Sequence, residues 1–103
     1  MTIKVLKSKG TNIKVTKGNI DLVGVIKLPI EIMEQLNIVN NEMVIVYGQY
    51  GKRENSVFVE TSDGDDVITP FTVAAVGELI TIISMGTATV DEPFIKAHKI
   101  DFS

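Results

Sequence analysis

The feature that most constrains this chain is a succession of short apolar, β-branched runs cut by turn residues. Ile3-Lys4-Val5-Leu6 alternates, as does Ile13-Lys14-Val15-Thr16, which is the pattern of half-buried strands. Lys17-Gly18-Asn19 reads as a turn. Leu22 to Leu28 is nearly unbroken apolar, which suits a strand buried on both faces. Met43 to Tyr47 and Arg53 to Glu60 are two further strands joined by a turn over Gly48-Gln49-Tyr50-Gly51-Lys52, giving a hairpin. Val67 to Thr69 is a short strand closed by Pro70, Phe71 to Val76 a single turn, and Glu78 to Met85 a buried strand. Gly86 to Val90 reads as a loop, and Ile100-Asp101-Phe102 as a final edge strand.

One segment reads clearly as a helix. Pro29 suits a first helical position, where its missing N–H is no loss. Ile32, Met33 and Leu36 fall on one face and Glu31, Glu34 and Gln35 on the other, so Met33 is expected in the core. Asn37 and the Asn40-Asn41 pair end it. Asp91-Glu92-Pro93 reads as a second helix start, with Lys96 and His98 downstream. Many short strands with one or two brief helices point to a small all-β barrel.

A chain of 103 residues makes one domain, residues 1–103, not two. The absence of cysteine removes disulfides and thiolate chemistry. No apolar run reaches the ~18 residues of a membrane span and no secretory leader is visible, so a cytoplasmic protein is expected. Net charge is −3, with lysines crowding the first third and acids gathered between Glu54 and Asp66. Arg53 is the only arginine, and the interleaved aromatics of a nucleic-acid platform are missing. Ser62-Asp63-Gly64-Asp65-Asp66 lacks the spacing of a calcium loop and reads as an ordinary turn, and no metal cluster is visible. Mean hydropathy is positive for so small a chain. Either the core is well filled or apolar surface is covered between subunits.

Several stretches, in order and spacing, make the chain resemble the pyruvoyl-dependent aspartate 1-decarboxylases. They are Leu6-Lys7-Ser8-Lys9, Val15-Thr16, Val23-Gly24, the helix followed by Asn40-Asn41-Glu42, Gly51-Lys52-Arg53, Gly77-Glu78-Leu79, and Asp91-Glu92 with Ala97-His98-Lys99. The resemblance implies a six-stranded double-psi β-barrel, a homotetramer, and active sites between adjacent subunits. It implies that Lys9 is an active-site lysine, that Arg53 grips a substrate carboxylate, and that Ser56 keeps a hydroxyl where the family has a threonine. In the family a serine follows the glycine and becomes the pyruvoyl group; here Gly24 is followed by Val25. Thr11 stands in place of a histidine and Leu22 in place of a tyrosine. The segment from Pro70 to Ala75 departs from the family's asparagine-glycine-alanine turn.

Two readings of function follow. In one, the old pocket is repurposed without a cofactor to bind a small carboxylate or acyl ligand, and to convert it by acid–base chemistry or positioning, as in a cyclisation, dehydration or isomerisation of lyase type. Lys9 and Thr11 would then be the catalytic candidates, with Arg53 and Ser56 holding the ligand. In the other, the chain is an inactive binding or partner subunit. None of the serines follows a glycine, which leaves no usual bond for self-cleavage elsewhere. The lone histidine, His98, in a polar segment, is expected to be exposed.

Overall fold

The computed structural model describes residues 2–19 and 21–89. It is all-β with one short helix: β1 Thr2–Lys14, β2 Lys17–Gly18, β3 Val25–Leu28, α1 Ile30–Gln35, β4 Met43–Gly48, β5 Arg53–Thr61, β6 Ile68–Thr69 and β7 Leu79–Thr89. The strands form one sheet in the order β1-β7-β4-β5-β3-β6-β2. Its two end strands, β1 and β2, are separated in sequence only by Val15 and Thr16. The sheet must therefore curl until its ends meet. At that seam Val15 N–H donates to the Glu78 carbonyl at 3.0 Å and Thr16 N–H to the Val67 carbonyl at 2.9 Å. The result is barrel-like, joined by the chain and not by a closing ladder. Counted as one strand interrupted at the seam, β1 and β2 bring the seven strands to the expected six.

Most ladders are antiparallel, but β3 pairs with β5 and β2 with β6 in parallel. The interior is filled by alternate residues of each strand: Ile26 and Leu28, Val44 and Val46, Val57 and Val59, Ile80 and Ile82, all at most 1% exposed. Val15 plugs the seam. The helix lays Met33 on this core as expected, with Ile32 and Leu36 half-buried beside it.

Several local expectations are corrected. The two alternating N-terminal runs are one thirteen-residue strand with register shifts at Leu6/Ser8 and Gly10/Ile13. Residues 17 and 18 are a strand, not a turn, because the seam leaves their backbone next to β6. The apolar run from Leu22 becomes a strand only at Val25, since Gly24 takes a φ of +66°. In β3 only Ile26 and Leu28 are fully buried, and Val25 and Lys27 are half-buried, so the strand is covered mainly on one face. Pro29 caps α1 from outside, with extended backbone. β7 runs through Gly86 to Thr89, where a loop was expected, because β1 is long enough to pair with it to Thr2. The second helix, the last strand and His98 lie outside the described residues.

Candidate functional site

Directly opposed residues in a ladder share a face of the sheet. Lys9 on β1 stands opposite Ile83 on β7, and Ile83 opposite Ile45 on β4. Tyr47 on β4 stands opposite Thr81 on β7 and Arg53 on β5. Their neighbours Val46 and Ile82 point into the core, so these residues form an outward face. On it lies a depression of about 320 Å³ lined by Lys9, Thr11, Tyr47, Thr81 and Ile83. The Arg53 guanidinium carbon sits 5.1 Å from the centroid of the Tyr47 ring, in a cation–π contact. Tyr47 thus bridges the two cations. The sequence signal for it was the alternation of Met43, Ile45 and Tyr47, which places all three on one side of β4. Lys9 and Arg53 share this face but no closed cavity, because β7 and β4 lie between their strands, a separation of about 14 Å at normal strand spacing.

The ion pairs among the described residues are Lys7–Glu42 and Lys17–Asp66. Among the described residues Lys9 and Arg53 thus have no carboxylate partner. Why Lys7 is paired and Lys9 is not follows from the register. Lys7 is the extra residue between Leu6, opposite Met85, and Ser8, opposite Ser84. This bulge turns Lys7 toward Glu42, whose two carboxylate oxygens accept from Lys7 Nζ at 2.8 Å. Lys7 also donates to the Asn37 carbonyl at 2.7 Å, and the buried Ser84 hydroxyl donates to Glu42. Burial raises the Glu42 pKa, but the Lys7 ammonium, the Ser84 hydroxyl and the Val39 N–H outweigh it and hold the carboxyl below its ordinary range. The network ties β1, β7 and the end of α1 together beneath the strand that carries Lys9. Asp66 is likewise held low, chiefly by Lys17.

Gly24 and Val25 lie elsewhere. Val25 opens β3 opposite Phe58, whose N–H donates to the Gly24 carbonyl at 2.8 Å. Beside Gly24 is a second cavity of about 340 Å³, walled by residues 22–24, the turn 70–73, Val57 and Glu54. The chain thus does bring Leu22 and the turn after Pro70 against Gly24. Ser56 is exposed on β5 and lines neither cavity. One protomer therefore holds the candidate residues in two groups, Lys9, Thr11 and Arg53 on the outward face and Gly24, followed in the chain by Val25, at the second cavity. Among the described residues no three His, Cys, Asp or Glu side chains are grouped to hold a metal ion. Among the described residues no helix is long and apolar enough to cross a membrane.

The sequence model of the aspartate decarboxylase family matches residues 1–101. An aspartate 1-decarboxylase of Cytophaga hutchinsonii is 33% identical over 97 residues, covering 89% of this chain and 84% of that protein. A match over nearly the whole length, together with an all-β sheet curled about one core, leads to one conclusion: the chain belongs to the aspartate decarboxylase family.

Proposed function

We propose that this chain is a member of the family that does not process itself, and that it binds a small carboxylate or acyl ligand on the Lys9–Tyr47–Arg53 face. The observation that carries this reading is the pair of cations on either side of Tyr47, neither of which has a carboxylate partner among the described residues. A planar guanidinium held against an aromatic ring is oriented to take both oxygens of a carboxylate. Lys9 supplies a second positive charge, and the Thr11 hydroxyl a hydrogen bond. Ser56 is a further hydroxyl on the strand that carries Arg53.

A pyruvoyl group arising at position 25 requires a hydroxyl there to attack the Gly24 carbonyl. Val25 has none, and no serine follows any of the eight glycines. The residues present do not fit that group. What remains within reach is positioning and proton transfer by Lys9, as in a cyclisation, dehydration or isomerisation. The two groups of candidate residues would meet where a second copy packs, in a homotetramer, and a cytoplasmic setting goes with this reading.

An inactive binding or partner subunit is the second reading. It is favoured by the distance between Lys9 and Arg53 and by the loss of a hydroxyl at Val25.

Two measurements test the proposal. Intact-mass spectrometry should give a single species at 11.3 kDa; two fragments would end the non-processing claim. A thermal-shift screen with aspartate, β-alanine and valerate should show stabilisation that Lys9→Ala and Arg53→Ala both lose. No shift with any carboxylate moves the assignment to the partner-subunit reading.

A further inference from the structure

The ladder between β4 and β5 contains a bulge that decides where Glu54 points. Val46 stands opposite Glu54, and Val44 opposite Val57. Two steps along β4 thus span three steps along β5. Without the bulge, residues 54 and 57, an odd number apart, would face opposite sides. With it, both face the side of Val44 and Val46, which is the core side. Val57 is buried in the core, while Glu54 emerges at the rim, into the cavity beside Gly24.

The remaining walls of that cavity are mostly apolar: Val23, Val57, Pro70, Phe71 and, as the one neutral polar side chain, Thr72. Among the described residues Glu54 is the only charged one of the lining. Neither ion pair of the described residues uses it. Arg53, next to it in sequence, is committed to the other face against Tyr47. The volume, about 340 Å³, is at the low end for ligand pockets and suits a small molecule.

We propose that this cavity binds a small primary amine with a short apolar body, its ammonium against the Glu54 carboxylate and its carbon chain along Phe71 and Val23. A carboxylate ligand is disfavoured here, since it would meet Glu54 with no cation to offset the repulsion. The site uses none of the residues of the carboxylate-binding face and goes beyond that reading.

The test is amide-resolved NMR titration of the full chain with pentylamine, pentanol and valerate at neutral pH. Pentylamine should shift the amides of residues 22–24, 54–58 and 71–73 and bind more tightly than pentanol. Glu54→Gln, which keeps the shape of an exposed side chain, should weaken pentylamine by about fivefold and leave pentanol unchanged. Arg53→Ala should leave pentylamine binding intact. Equal affinity for amine and alcohol, unchanged amine binding in Glu54→Gln, or no shifts at residues 22–24 and 71–73 would each overturn the proposal. Valerate shifts at Lys9, Thr11 and Arg53 report on the other face, so either site can fail alone.

Discussion

Replacing Glu42 by glutamine probes the network that holds β1 in place. Gln has the shape of Glu but offers one acceptor oxygen in place of two and carries no charge. Lys7 Nζ now donates to both carboxylate oxygens at 2.8 Å. In the variant one of those contacts becomes donor against donor, and the other loses its charge assistance, as does the bond from Ser84. Hydrogen bonds to charged groups contribute about 1.5–3 kcal/mol. The two side chains are 28% and 19% exposed, so solvent screening places the loss at the lower end, about 1.5 kcal/mol. For a domain of this size that is roughly 6–12 °C in Tm. The pH dependence has a definite sign. Glu42 is held below its ordinary value of 4.5 when folded, so its contribution is complete above that value and is lost as pH falls through the folded pKa. Urea unfolding followed by circular dichroism, at fixed protein concentration, should show the difference at pH 7 and show it shrinking below about pH 4.5. Lys7→Met and the double variant should yield a coupling of about 1 kcal/mol. A loss under about 0.3 kcal/mol at pH 7, or one that does not shrink in acid, refutes the reasoning.

Ile82 is fully buried at the centre of β7, and Ile82→Ala should cost about 2–4 kcal/mol by urea unfolding; a loss below about 1 kcal/mol would mean the core collapses around the gap. Gly24→Ala meets no atom within 4 Å, so its cost of about 1 kcal/mol should come from the positive φ alone, and an unchanged Tm would contradict that conformation. Met43, Phe58 and Met85 lie outward and are 49%, 44% and 42% exposed. Light scattering should report four copies that Phe58→Glu reduces, whereas a monomeric parent chain would remove the interfacial site.

Much of the architecture was legible in the sequence because a strand's side-chain period is set by its own backbone. The apolar runs from Met43 to Tyr47 and from Glu78 to Met85 identified two strands, the second of them buried, and the amphipathic face around Met33 located the helix. The family resemblance was legible in order and spacing, and the matches over most of the chain agree with it. Residues 17 and 18 were not legible as a strand, because a two-residue strand exists only through its partner.

What the sequence by itself determined is which residues are apolar, β-branched or charged, and hence an all-β chain with one or two short helices. What only the tertiary structure decided is where the charges go. Lys7 and Lys9 are two residues apart and chemically alike, yet one is bound to Glu42 and the other opens onto the depression beside Tyr47. Arg53 and Glu54 are adjacent, yet they serve opposite faces. For the two lysines a bulge adds one residue to β1, and a shift of one residue reverses the direction of every side chain beyond it. Arg53 and Glu54 part by ordinary strand alternation, and the bulge between Val44 and Val46 sets Glu54 on the same side as Val57. That shift depends on the partner strand, which no local pattern records.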